Sequence, residues 1–310
     1  MQKQTTMDKI NRTTLFLTLT FVISFSLVGL YKLFGGQYDN KVSATILAVT
    51  YMFIPMICAI IVEKVIHKEK LRPNLFISFK INKWFFIAWL ITPIMGFGTL
   101  GISLLLPDVT YSPEMTGMVN RFEDMLTPEQ LEQMKNASET MPIHPIWLAL
   151  LQGLIAGATI NAIAGFGEEL GWRGFLLKSF KEMNFLKASI IIGFIWGIWH
   201  SPLILMGHNY PQHPGIGVLM MTVCCILLTP LFLYFTVKAK SVIAAAIMHG
   251  TLNATAGIAI MVIEGGNDLT VGMTGLAGFI SLIVVLVILF TYDNKLSKEK
   301  IMTNKISNYL

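Results

Sequence analysis

The fold class this sequence predicts is an all-α, polytopic integral membrane protein of about eight transmembrane helices, with both termini cytoplasmic. Three observations predict it. Hydrophobic residues make up 54% of the chain and charged ones 13%, at a mean hydropathy of +0.64; a soluble globule carries about a quarter charged residues. The apolar residues come in blocks near the roughly 20 residues that cross a bilayer as a helix. The loops between those blocks alternate between rich and poor in Lys and Arg, the pattern the positive-inside rule gives to a chain threaded back and forth.

Taken in order, the first block is Thr14–Phe34, preceded by Lys3, Lys9 and Arg12. It is too long for a signal-peptide core and lacks a small-x-small cleavage site, so it is read as a helix. Ala44–Val65 follows, trailed by Lys64, Lys68, Lys70, Arg72, Lys80 and Lys83, and then Trp84–Leu106. The longest loop, 107–144, carries Glu114, Glu123, Asp124, Glu129, Glu132 and Glu139 and is assigned to the outside. Within it Thr127-Pro128-Glu129-Gln130 reads as a helix start, with Pro at the first helical position and Gln at the third. A short amphipathic lid is expected there, its Met-rich run Met115–Met134 lying against the membrane surface. Next comes Ile146–Gly167, which continues through a charged motif to about Phe180 and is followed by Lys178, Lys181 and Lys187. Ala188–Gly207, Ile216–Val237, Val242–Ile263 and Met273–Tyr292 complete the set. Lys238 and Lys240 follow the sixth span, and Lys295, Lys298, Lys300 and Lys305 follow the last.

The net charge of +5 lies in these cytoplasmic anchors, so it implies a lipid bilayer around the chain and no nucleic-acid partner. Cys58, Cys224 and Cys225 suit neither a disulfide nor a metal pair and are read as packing residues. No repeat and no separate soluble unit is visible, so 1–310 is one membrane domain.

Polar groups inside the spans carry the functional signal. An ionisable group at mid-bilayer costs roughly 2.5–3.5 kcal/mol on the gentlest scale, yet Glu168, Glu169 and Arg173 fall together in Gly165-Phe166-Gly167-Glu168-Glu169-Leu170-Gly171-Trp172-Arg173-Gly174. Glu169 and Arg173 are i,i+4 neighbours able to pair, which leaves Glu168 to face something else. Two further sets are Trp196 with His200, and His249 with Asn253, each spaced i,i+4 on one helix face. Helical rise puts all three sets in the central to cytoplasmic half of the bilayer. Gly165, Gly167, Gly171 and Gly174 thin the helix for close approach, and Asn161 is expected to make a helix–helix contact. His67, His144, His208 and His213 lie in or beside loops and are read as interfacial.

A carboxylate beside a histidine in a dry cavity can hold a water and take its proton. A second imidazole and an amide can stabilise the oxyanion of an attacked carbonyl. Together these groups suit amide hydrolysis without a covalent nucleophile, since Ser201 is followed by Pro202 and is more simply a turn residue. A divalent metal is the competing reading, because Glu168, His200 and His249 offer the ligand types of a catalytic zinc, although the HExxH spacing is absent. A purely structural polar network is the third.

Glu-Glu-x-x-x-Arg, aromatic-x-x-x-His and His-x-x-x-Asn, in that order on successive membrane helices, resemble the CAAX prenyl protease and bacteriocin-processing (CPBP) family of intramembrane proteases. The resemblance covers about 146–263. It departs mildly at Trp196, where the family usually has Phe. It implies a membrane-embedded endopeptidase in which Glu168 and His200 activate water, His249 and Asn253 form the oxyanion site, and Glu169 and Arg173 give support. The family has been described both as metalloproteases and as metal-free glutamate proteases. The implied partner is a membrane-associated peptide or protein substrate, and the composition fits a bacterial plasma-membrane protein concerned with peptide maturation, immunity or membrane-protein turnover. A non-catalytic immunity or scaffold protein with the same fold is the alternative, and a small transporter a remoter one.

Overall fold

The computed structural model describes residues 11–38, 40–122, 129, 132 and 142–310. Several of the helices start where a polar side chain can satisfy the first free backbone N–H groups. Helix α1 (Arg12–Leu33) is capped by Asn11, α2 (Lys41–Ile60) by Asn40 and α3 (Lys83–Ser103) by Asn82. After a short helix α4 (Thr116–Phe122), α5 (Pro145–Ala158) begins on Pro145 with the His144 ring accepting from the Ile146 N–H. Helix α6 (Ile160–Glu169) runs on through π-helical turns at Leu170–Leu176. Asn184 caps α7 (Phe185–Trp199). Pro214 opens α8 (Pro214–Ala239), Lys240 closes it in the left-handed region, and Ser241 caps α9 (Val242–Thr255). The last long helix is α10 (Leu276–Lys295).

Contacts at the two ends of the bundle sort the loops. At one end Arg12 pairs with Glu69 at 3.4 Å, Lys178 with Glu63 at 2.8 Å, and Lys238 with Glu299. There Asn82 also donates to the Ala239 carbonyl, and the Phe185 N–H to that of Asn304. At the other end Tyr38 meets His208, Tyr210 donates to the Thr274 carbonyl, and His213 holds Asp268 at 2.6 Å. Strand β1 (Val109–Tyr111) pairs there, antiparallel, with β2 (Ile263–Gly265). The chain therefore runs away on α1, α3, α7 and α9 and back on α2, α5–α6, α8 and α10. Every basic loop within the described residues gathers at one end, as the charge alternation requires; Lys3 and Lys9 lie outside them.

Among the described residues, six helical segments are by themselves long and apolar enough to cross a membrane: Arg12–Leu33, Val42–Ile66, Lys83–Ser103, Pro214–Ala239, Val242–Met261 and Leu276–Lys295. The fourth crossing is broken rather than continuous, a departure from the sequence reading. Its halves Pro145–Ala158 and Ile160–Ser179 meet at 52°. The Thr159 hydroxyl donates to the Ile155 carbonyl at 2.7 Å, a back-bond that bends helices, and the Trp89 indole donates to the Leu154 carbonyl beside it. The fifth crossing is shorter than expected, only 15 residues as helix before it turns at His200, because Pro202 has no N–H with which to continue it.

Met115 also corrects an expectation. It does not lie on the membrane surface but is buried with Ile146, Ile258 and Val262. Met118 packs against the same cluster; Met125 and Met134 of the run, and Thr127, Pro128 and Gln130 of the expected helix start, lie outside the described residues. Exposed Ile and Val side chains on α1 and α10 (Val22, Ile23, Ile283, Val284, Val287, Ile288) give the bundle the apolar girdle of a lipid-facing surface. The fold is that of an all-α, multi-pass membrane protein.

Candidate active site

Small residues let the site helices approach. A Cβ on Gly167 would come to 2.7 Å from the Met52 carbonyl, and one on Gly165 to 2.9 Å from that of Ala246, so α6 is pressed between α2 and α9. Gly250 on α9 meets the Gly157 carbonyl as closely, 2.4 Å from its missing Cβ, and Asn161 donates to the Gly250 carbonyl at 3.5 Å. Asn161 thus makes the helix–helix contact expected of it. On the far side a Cβ on Gly197 would sit 2.4 Å from Thr222 Cα, bringing α7 onto α8.

Within this frame Glu168, Glu169, Arg173 and His249 are all buried. Arg173 Nη1 donates to Glu169 Oε1 at 3.0 Å, the i,i+4 pair read from the sequence. The same oxygen takes His249 Nδ1 at 2.8 Å. Glu168 is left free of Arg173 and finds two other partners. Its Oε2 accepts the Trp196 indole N–H at 2.8 Å, and its Oε1 lies 3.9 Å from His249 Nε2. The cluster sets two carboxylates against one guanidinium and one imidazole, and pairing of this kind is what ionisable groups away from water require.

Two residues of the site escaped the sequence reading, both on α8. Thr229 accepts from Arg173 Nη2 at 3.1 Å, and the Phe232 ring lies 4.5 Å from the guanidinium carbon, with Trp196 at 4.2 Å. Arg173 thus sits in the corner between two rings that meet edge to face, a cation–π arrangement that counts for more when desolvated. The only signal along the chain was a polar residue next to Pro230, one of three threonines in that span.

His200 stands at the end of α7, half buried, with Nδ1 2.8 Å from the Trp196 carbonyl. A carbonyl only accepts, so Nδ1 carries the proton and Nε2 is left as the acceptor. The turn is braced by Trp199, whose carbonyl takes the Tyr51 hydroxyl at 2.6 Å and whose indole donates to Ser24 at 2.8 Å. His200 makes no ion-pair contact with Glu168; the nearest imidazole to that carboxylate is His249. Asn253 shares the His249 face of α9 and is exposed. Three of the remaining histidines sit in loop contacts, as expected: His144 caps α5, His208 meets Tyr38 and His213 meets Asp268; His67 follows α2 with Nε2 buried and without a hydrogen-bond partner. Cys58, Cys224 and Cys225 are free and buried in the main core.

Fold and site together define a class: a helical membrane protein with a buried carboxylate–imidazole centre built from three crossings. Comparison with known proteins narrows it. Residues 144–255 match the family described as type II CAAX prenyl endopeptidase, Rce1-like. A 49-residue stretch is 43% identical to a CAAX prenyl protease 2 of Methanococcus maripaludis, over 16% of this chain and 18% of that protein's length. The segment that holds every site residue is therefore similar to the CAAX prenyl endopeptidases, the resemblance its three motifs indicated.

Proposed function

We propose that the protein is an intramembrane endopeptidase that hydrolyses a peptide bond of a membrane-associated peptide or protein. The observation that carries this reading is the division of labour between the adjacent glutamates. Glu169 gives Oε1 to both Arg173 and His249 and has Oε2 buried without a hydrogen-bond partner, while Glu168 keeps Oε1 facing an imidazole across 3.9 Å, too long for a direct hydrogen bond and close enough for one water beside the pair to touch both. Glu168 takes a proton from the attacking water, and the free Nε2 of His200 accepts from the same water. The hydroxide adds to the scissile carbonyl. His249, whose Nδ1 is held by Glu169, is oriented to donate from Nε2 to the resulting oxyanion when protonated, with the Asn253 amide as second donor. Glu168 then passes its proton to the leaving nitrogen, the C–N bond breaks, and a carboxylic acid and an amine are released with Glu168 again a carboxylate.

This mechanism needs no metal. The donor set also fits a divalent ion such as zinc by type, since both imidazoles have Nδ1 engaged and Nε2 open, the arrangement second-shell acceptors impose on metal-binding histidines. Zinc would supply Lewis-acid polarisation held by Glu168, His200 and His249. Dialysis against a chelator, followed by metal analysis and assay, separates the two: retained activity in metal-free protein supports the glutamate mechanism, and loss restored by zinc overturns it. The plasma membrane of a bacterium is the proposed location, with maturation of a bacteriocin or peptide signal as the proposed setting.

The test compares membrane and secreted peptides by mass spectrometry in cells carrying wild type or Glu168→Gln at equal abundance. A fragment lost from the mutant, with its precursor accumulating, is the expected result. Identical profiles across growth conditions would reject proteolysis in favour of an immunity or scaffold role.

A further inference from the structure

Trp196 has a task beyond filling space, and its geometry is unusually well defined. An aromatic ring carries negative charge on its faces and positive charge at its edge. Trp196 uses both. Its face lies 4.2 Å from the Arg173 guanidinium carbon, and its edge N–H reaches Glu168 Oε2 at 2.8 Å. Its backbone carbonyl holds His200 Nδ1. One buried residue thus touches the cation, the carboxylate and the histidine of the site. Phenylalanine in its place would supply the face and no donor.

We propose that Trp196 is a positioning residue for Glu168, its indole N–H fixing one carboxylate oxygen so that the other is presented toward His249. The inference rests on the proteolytic reading for its kinetic consequence but not for the contact itself. An ionised carboxylate with both oxygens free rotates about its terminal bond, a broad torsion with weak intrinsic preference. The N–H stops that rotation. It also leaves Oε1, and not Oε2, as the oxygen facing water.

The decisive experiment removes the N–H and keeps the ring. Trp196 is replaced by 3-benzothienylalanine, which carries sulfur where indole has N–H, and in parallel by Trp196→Phe. In the benzothienyl variant kcat should fall roughly ten- to a hundredfold, the range for losing a hydrogen bond to a charged group. KM should stay within about twofold and the thermal midpoint should fall only by what one lost hydrogen bond costs, since ring stacking on Arg173 persists. A merely structural role would move the midpoint and spare kcat in the folded fraction. An infrared difference spectrum in the carboxylate region, with Glu168→Gln as the blank, reads the contact without any substrate. A shifted Glu168 band is expected in the benzothienyl variant; an unshifted band, or an unchanged kcat, overturns the proposal. If wild type cleaves nothing, proteolysis falls by itself and the infrared comparison still decides the role of Trp196.

Discussion

At the scale of single residues, the buried pair Glu169–Arg173 is held by His249, Thr229 and two aromatic rings, with Glu169 Oε2 and Arg173 Nε left buried and unpartnered. Removing either charge strands the other where water cannot reach it. Glu169→Gln and Arg173→Ala are each expected to cost about 3–5 kcal/mol of stability, seen as a lower folded yield and a lower melting midpoint in detergent. Normal expression and melting of both variants would reject the supporting role. Glu168→Gln is the contrast. Glutamine keeps an acceptor for the Trp196 N–H, so that variant should melt as wild type does while losing cleavage. The pairing of Glu169 with Arg173 was legible in the sequence because i,i+4 spacing fixes proximity on a helix. The contact of Glu168 with Trp196 was not: these residues are 28 positions apart, and only the packing of α7 against α6 and the chosen rotamers bring them together.

At the scale of elements, the site depends on how nearly helices touch. Gly250→Ala on α9 would drive a methyl group into backbone atoms of Gly157, Asn161 and Ala162 at 2.4–2.6 Å. Overpacking of this kind costs about 1–3 kcal/mol. Because its neighbour is His249, activity should fall more steeply than stability. Gly101→Ala, with nothing within 4 Å of the added carbon, is the matched control and should leave the melting midpoint unmoved. Equal effects of the two substitutions would mean that close helix approach is not what sets the site. The need for small residues on α6 was readable from its four glycines. The 52° break at Thr159 was not, because threonine is tolerated in straight membrane helices and only the bonds made here, to Ile155 and between Trp89 and Leu154, turn it into a bend.

At the scale of the whole molecule, the two ends of the bundle differ in charge, and the positive-inside rule makes the basic end cytoplasmic. Single cysteines introduced as Asp108→Cys and Lys298→Cys, both at exposed positions at opposite ends, test this directly. The native cysteines are buried and give a quiet background. In intact cells a membrane-impermeant maleimide should label the Asp108→Cys protein at once, and the Lys298→Cys protein only after permeabilisation. Labelling of both from outside would overturn the threading of the chain.

The sequence by itself determined that this chain lives in a membrane, roughly where it crosses and which few polar residues matter. Hydropathy and loop charge are local properties, and burying an ion in lipid is too costly to happen without reason. Tertiary structure alone decided which partner each ionisable group takes. It gave His249 rather than Arg173 to the open side of Glu168, made an indole N–H the clamp on that carboxylate, and brought in Thr229 and Phe232 from a span that carried no functional signal. Those choices depend on helix rotation, bend and rotamer over distances that one-dimensional spacing does not encode.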